Sequence, residues 1–395
     1  MNSIIYLDHA ATTRTNPKVV VEMLPFFTEY YGNPSSSYDF SQNPRDKINE
    51  ARERIAKTLN TEPETIYFTA GGTESDNWAL NAATGLGLPG RHIITTQIEH
   101  HAILHTARCL EEKGYELTYL PVDENGMVNP DAIRRAIRRD TILVSVMYAN
   151  NEIGSIQPIE EIGRICRERG VLFHTDAVQA YGHIKIDVER MNIDMLSASG
   201  HKFNGPKGTG FLYVRKGINL KSFIHGGAQE RGRRAGTENV PGIVGLGRAA
   251  ELAYETLDER RKRETDIRNH VIERMMTEIP YIRLNGHRSR RLSNNINVCI
   301  QFTEGAAVLA MLDMLGICAS GGSACTSGSK KPSHVLLALG LPEEIAHGSL
   351  RFTLGEENTM EELDYVVDEL KKIVEKLREE SPEYNDFIKK RKELL

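Results

Sequence analysis

No two cysteines in this sequence are spaced CxxC, and five in 395 residues, Cys109, Cys166, Cys299, Cys318 and Cys325, leave one over from any full pairing. That excludes a zinc ribbon, a thioredoxin-like dithiol and a disulfide framework. The default for each cysteine is a reduced residue packed in the interior. Long apolar runs are missing too, and the N-terminal MNSIIYLDHAATT has no basic leader. A signal peptide or membrane span is not expected, and a cytoplasmic address is. Nor is there a surplus of positive charge: the formal net charge is -5 and the pI about 6.3, with no face or tail saturated by Lys and Arg. Nucleic acid and membrane are therefore not expected partners. No GxxxxGK[ST] is present and no GxGxxG follows the early strands, which argues against a nucleoside-triphosphate loop and a dinucleotide fingerprint. Internal repeats and low-complexity segments are lacking.

What is present is ordinary globular material, 40% hydrophobic and 26% charged, long enough that two domains are the prior expectation. From about 45 to 220 helical and strand patterns alternate. A charged amphipathic stretch at 44–59 leads to TIYFTA, then HIITT, ELTYLPV, TILVSVMYA, VLFHTDA, DMLSAS and GTGFLYV, with helical patterns from Glu74, from 100, near 130–138 and over 158–169. Strands separated by helices predict parallel pairing through crossovers, an α/β sheet covered on both faces. After Gly226 the composition turns to a Gly- and Arg-rich loop, then to one long helix over roughly 241–278. A second unit follows, with strands at 294–302 and 349–354, helices near 304–315, 332–340 and 358–379, and a Gly- and Ser-rich stretch at 319–329. The Glu- and Lys-dense tail, 358–395, reads as a solvated amphipathic helix.

In an open parallel sheet, ligands bind beyond the carboxyl ends of the strands. Collected there are Gly71-Gly72-Thr73, His100-His101, Asn150-Asn151-Glu152, Asp176 with Gln179, and Ser199-Gly200-His201-Lys202. Glycines and a threonine between strand and helix suit a phosphate held against the helix dipole, although a plain turn with Thr73 as N-cap explains them equally. A lysine ending a buried strand, Lys202, has its ammonium disfavoured by desolvation, as a Schiff-base lysine requires; a surface lysine on the loop before Gly205-Pro206 is the competing reading. Asp176 stands where a pyridinium nitrogen would need an anion, or it caps the next helix.

These motifs, AGGTESDN at 70–77, HTDAVQ at 174–179 and SASGHKFNGPKG at 197–208, resemble the fold type I, class V pyridoxal-phosphate enzymes. More narrowly they are similar to cysteine desulfurases of the NifS and IscS type. The likeness runs in order through YLDHAATT at 6–13, GNPSS at 32–36, EHHA at 99–102, YANNEIG at 148–154 and HGGAQERGRRAGTEN at 225–239. It continues through GGSACTSGSKKPSH at 321–334 to LRFTLG at 350–355. It implies a mostly parallel central sheet covered by helices plus a smaller α+β domain, with residues 15–257 as the large domain. Residues 1–14 and 258–395 would form the small one, carrying a mobile loop at about 318–332.

The resemblance further implies pyridoxal 5'-phosphate bound covalently to Lys202, Asp176 on the pyridine nitrogen, Gln179 on the phenolic oxygen and His100 stacked on the ring. His101 beside it leaves a one-residue ambiguity, decided for His100 because it follows Glu99. Gly72, Thr73, Ser199 and His201 would bind the phosphate together with Thr237 from a second subunit, so a homodimer is implied. Asn151 and Arg351 would hold the carboxylate of the substrate, L-cysteine. No metal is implied.

Cys325 differs from the other four because GGSACTSGS cannot build a helix or strand and has little to bury; it is expected to be exposed. Cys109, Cys166, Cys299 and Cys318 are expected to be inert packing. Lys202 and His100 would move the substrate α-proton, and the Cys325 thiolate would take the sulfur as a persulfide, with alanine released. The long loop points to delivery to an iron-sulfur scaffold protein. Rival readings are a class V aminotransferase or selenocysteine lyase, which would not need Cys325, and a non-catalytic scaffold, which would not need Lys202, Asp176 and Cys325 together.

Overall fold

The computed structural model describes residues 4–321 and 332–393. In chain order its strands are β1 (Ile5–Tyr6), β2 (Ile66–Thr69), β3 (His92–Thr96), β4 (Glu116–Leu120), β5 (Thr141–Ser145), β6 (Leu172–Asp176), β7 (Met195–Ser199), β8 (Gly210–Val214), β9 (Ile282–Leu284), β10 (Asn295–Ile300), β11 (Ile317–Cys318) and β12 (Ser349–Thr353). Seven form one sheet in the order β2-β8-β7-β6-β5-β3-β4. From β4 through β3, β5 and β6 to β7 the pairing is parallel. Strands β2, β3, β5, β7 and β8 are buried along their whole length, which is why their sequences are unbroken apolar and small-residue runs rather than alternating ones.

Parallel pairing fails at β8, which runs antiparallel to both β7 and β2. Residues 200–209 hold only the 3-10 turn Gly200–Lys202 and a loop, and a parallel return needs a crossover of about a dozen residues or more. The chain therefore folds straight back, placing Ser199 opposite Gly210. Elsewhere the winding reverses: from β3 the chain steps outward to β4 and then returns to β5 on the other side of β3. Beyond the strand ends at such a reversal the covering helices diverge and leave a crevice.

The helices Gln42–Leu59 and Val240–Glu255 cover this sheet, sharing its core through Ile48, Ile55, Val244 and Leu246. They touch backbone to backbone, because a Cβ added at Gly247 would lie 2.6 Å from both Cα and Cβ of Ala51. A second core forms around the antiparallel strands β12-β10-β9 and the parallel pair β1-β11. It joins Leu7, Val298 and Phe352 to Val271 and Met275 of the helix Leu257–Glu278 and to Leu363 and Val367 of the helix Met360–Glu379. Among the described residues no helix is long and apolar enough to cross a membrane.

The single helix expected at 241–278 is two, Val240–Glu255 and Leu257–Glu278, parted at Thr256 with φ -103° and ψ 4°. The first belongs to one core and the second to the other, so tertiary packing bends the chain where no Gly or Pro marks the place. The tail likewise divides into Met360–Glu379 and Pro382–Glu393, since the residue before a proline resists helical geometry. Cys166 and Cys299 are buried as expected and Cys318 is partly so, but Cys109 is exposed. On the helix His101–Glu112 the inward positions are Ala102, Ile103, Thr106, Ala107 and Leu110, and residue 109 falls at the margin of that face, where it lines an open hollow with His105 and Thr106.

Gly247→Ala should lower the free energy of urea unfolding by about 1–3 kcal/mol, the range for overfilling a packed contact. A change below about 0.5 kcal/mol would mean that the two helices part freely.

Candidate active site

The crevice gathers residues from the ends of β2, β3, β5, β6 and β7. After β2, Gly71 takes φ +151°, a conformation L side chains rarely adopt, and starts the helix Gly72–Gly85 without a side-chain cap. A Cβ at Gly72 would come within 2.5 Å of Val178 Cγ2, so only glycine lets this helix start lie against the segment after β6. Thr73 is not the N-cap; Gly71 is, and the first-turn amides of the helix lack intrahelical partners.

A cavity of about 300 Å³ is lined by Gly72, Thr73, His100, Asn151, Asp176, Gln179, Ser199, His201, Lys202 and Arg351. A wider, more open hollow of about 780 Å³ continues over Gly71, Thr73, Ser199, His201 and Lys207. Thr237 is elsewhere: it is exposed and lines a separate cavity of about 230 Å³ with Glu230, Arg234 and Asn239. Cys325 lies outside the described residues.

Lys202 closes the 3-10 turn after β7, and its Nζ donates to the carbonyls of Ala10 at 2.6 Å and Ala11 at 2.8 Å. Gln179 Nε2 donates to the same Ala10 carbonyl at 2.9 Å. Asp176, at the end of β6, accepts the Val178 amide at 2.9 Å. Burial pushes its carboxyl up to about 6, against the attraction of the Lys202 ammonium. His100 caps the helix His101–Glu112 by accepting the Ala102 amide on Nδ1 at 3.1 Å. Burial, aided by Lys202, pulls it down to about 4, so it is neutral near pH 7. Its neighbour His101 turns away, its ring 4.9 Å from those of His105 and His334. His201 Nδ1 lies 3.1 Å from Thr12 Oγ1, and burial beside Lys202 and Lys207 pulls it down to about 4.

Arg351, on β12 and 1% exposed, donates from Nη1 to the Asn151 carbonyl at 3.0 Å and from Nη2 to Asp8 Oδ1 at 2.7 Å. Among the described residues its Nε has no hydrogen-bond partner. Asn150, next to Asn151, is spent on structure: it donates to the Ile98 carbonyl and accepts the amides of Glu152 and Ile153.

Sequence reasoning passed over Asp8, Asp76, Glu99 and His174, although each lies inside or beside a motif it used. Asp76 shares the cavity wall, its Oδ1 buried without a hydrogen-bond partner among the described residues, and burial together with Asp176 pushes its carboxyl well above the usual range. His174, between the hydroxyls of Ser145 at 2.9 Å and Ser197 at 3.0 Å, is pulled down to about 3 by burial. At the 3.8 Å approach of His174 to Asp76, burial disfavours the charged form of each partner. Glu99 accepts from Thr96 Oγ1 and the Met147 amide. Only its burial could have flagged it, and burial is not visible in a sequence.

The donor set suits a small anionic aromatic aldehyde. A buried carboxylate held up to about 6 gains from a cationic ring nitrogen. A lysine amine faces the same space, and a helix start pressed close by Gly72 offers amides to a phosphate.

Burial raises the Glu99 carboxyl from 4.5 to about 8, so the folded protein holds the proton longer than the unfolded chain. The stability this group contributes is complete below about pH 4.5 and is lost as pH rises to about 8. Glu99→Gln should remove that slope, so thermal melts of the variant relative to the parent should improve from about pH 5 to about pH 8. A constant difference across that range would place the carboxyl at its ordinary value.

Residues 5–366 match the family described as Aminotransferase class-V. A curated protein of Clostridium botulinum named Cysteine desulfurase IscS is 55% identical, with 100% of each chain covered. Among solved structures, one titled NifS-like protein superposes with a TM-score of 0.89 at 39% identity, covering 94% of this chain and 100% of that one. Another, SspA in complex with cysteine, has a TM-score of 0.78 at 38% identity and covers 89% and 98%. An equally long relative at this identity and a fold shared with NifS-like proteins leave one conclusion: the chain belongs to the class-V aminotransferase family and, within it, to the cysteine desulfurases.

Proposed function

We propose that the protein is a pyridoxal-phosphate-dependent cysteine desulfurase that converts L-cysteine to L-alanine and keeps the sulfur as a persulfide on Cys325. The observation that carries the reading is one buried cavity shared by Lys202, Asp176 and Arg351. The membership of its family and a 38% identical neighbour solved with cysteine support it. When bound, pyridoxal phosphate supplies an electron sink for bonds at the substrate α-carbon.

The chain's own residues do the rest. Lys202 would hold the cofactor aldehyde through Nζ, Asp176 would face the ring nitrogen, Gln179 the phenolic oxygen, and His100 the ring. Gly72, Thr73, Ser199 and His201 would hold the phosphate. Arg351, held by Asp8, would receive the substrate carboxylate from the cavity wall that it shares with Asn151. Lys202 Nζ takes and returns the Cα proton, and His100, neutral at pH 7, shares the wall. The substrate C–S bond then breaks with its electrons left on the substrate carbon, which is protonated. A new S–S bond forms at Cys325 Sγ as its proton leaves, so no outside oxidant is required.

Thr237 would act in the site of a second copy. Large apolar side chains stand exposed along one stretch of the chain, Val21 at 67%, Phe27 at 60% and Tyr31 at 71%, and are consistent with a homodimer. We further propose an iron-sulfur scaffold protein as acceptor of the sulfur, a cytoplasmic location, and a division into a large domain of 15–257 and a small one of 1–14 with 258–395.

Lys202→Ala should abolish covalent fixation of the cofactor by borohydride, read by mass spectrometry of the intact chain. Fixation retained would move the role to another lysine. Cys325→Ser should keep the cofactor's visible absorption and lose alanine formation by at least about 100-fold, the scale of removing a nucleophile; undiminished alanine release would reject the persulfide.

A further inference from the structure

Residues Glu230 and Arg231 both sit in left-handed backbone, at φ 46°, ψ 46° and φ 59°, ψ 35°. Two successive non-glycine residues there are strained and persist only where surroundings impose them. The imposing contacts are specific. Glu230, 8% exposed, is gripped by Arg52, 7% exposed, through two bonds, Nη2 to Oε1 at 2.7 Å and Nη1 to Oε2 at 2.9 Å. Glu230 Oε2 also accepts the Phe68 amide at 2.9 Å. Phe68 lies on β2, the outermost strand of the sheet, whose free edge would otherwise leave that amide unpaired. The Ile66 carbonyl on the same strand accepts from Arg52 at 2.6 Å and from Arg231 at 2.8 Å, and the Arg231 guanidinium lies 4.1 Å from the centre of the Tyr67 ring.

What this lock holds is the loop that carries Thr237. After the strained pair, Arg234 bonds Glu74 through Nε at 2.9 Å and Nη2 at 3.1 Å, and Gly236 donates to Gln229 Oε1 at 3.1 Å. Asn239 then caps the helix Val240–Glu255. Thr237 is exposed between these anchors, with Glu230 on the wall of the same small cavity.

We infer that Glu230 is the positioning residue for Thr237: clamped by Arg52 and the edge of β2, it fixes the backbone turn that presents Thr237 to the phosphate cradle of a second copy. The inference rests on the proposed role of Thr237 across the dimer. Glu230 itself touches no cofactor; it acts through the loop. The alternative is a purely structural role in sealing the edge of β2.

The test is a double-substitution cycle on the full-length chain freed of cofactor, titrated with pyridoxal 5'-phosphate and separately with pyridoxal, which lacks the phosphate, with the dimer followed by sedimentation. Thr237→Ala should weaken pyridoxal 5'-phosphate roughly tenfold or more, as the loss of a bond to a charged group does, and leave pyridoxal unchanged. Glu230→Gln should do the same with the dimer intact, and in the Thr237→Ala background it should add nothing. Arg52→Lys, which keeps the charge but loses the fork, is the milder variant that decides the matter if Glu230→Gln does not fold, and the same pattern is expected of it. An equal loss of both ligands, a full additional loss in the Thr237→Ala background, or loss of the dimer would overturn the inference. Thr237→Ala binding pyridoxal 5'-phosphate normally would instead remove the reading of Thr237 on which it stands.

Discussion

The two sides of the cavity are tied together by an ion pair between the N-terminal segment and β12, buried at Arg351 and partly exposed at Asp8. Arg351 would be an uncompensated charge at 1% exposure without Asp8, 2.7 Å away, and a lone buried cation is strongly destabilising. Asp8 in turn is fixed by its bridge to Thr353 and by the pairing of β1 with β11. From there the chain runs over the crevice, where the Ala10 and Ala11 carbonyls receive Lys202 and Gln179 and Thr13 receives the Asn204 amide. A single segment of the N-terminus therefore sets the arginine that belongs to one core and the lysine that belongs to the other.

Around that segment the cavity separates its titratable groups by environment. Asp76 and Asp176 face one space, and burial raises both; His100, His174 and His201 are all pulled down. The site thus favours neutral forms wherever no partner is supplied, and its acids and bases are poised to respond to a ligand that brings charge with it. Lys202 and Arg351 keep polar partners of their own in backbone carbonyls and in Asp8.

The parts legible in the sequence were those encoded by short-range pattern. Buried strands read as apolar runs, Gly71-Gly72 as a junction between strand and helix, and the strand-end residues as one set. What escaped depends on distant partners. The reversal at β8 follows from a connection too short for a crossover, and the bend at Thr256 from two helices serving two cores. Cys109 is exposed because its helix turns residues 102, 103, 106, 107 and 110 inward and leaves 109 at the margin of that face, a rotation that the surrounding structure sets. The positions of Asp8 and Asp76 were printed inside recognised motifs, yet their electrostatic roles need burial and a neighbour hundreds or tens of residues away. Thr237, which the resemblance assigns to the site of a second copy, lines a cavity apart from Thr73, Ser199 and His201 of its own chain; the strained Glu230 and Arg231 that precede it carry no sequence mark, since left-handed backbone is normally the province of Gly and Asn.

The tight return from β7 to β8 also bears on the order in which the cavity assembles. Ser199 and Gly210 are near neighbours along the chain, so the turn bearing Lys202 closes at little loop entropy. Asp8 and Arg351 must meet across 343 positions, and contacts of such separation are the slow ones. The side of the cavity around Lys202 therefore closes through a short local turn of the sheet, whereas the side around Arg351 is complete only when the N-terminal segment has met the second core.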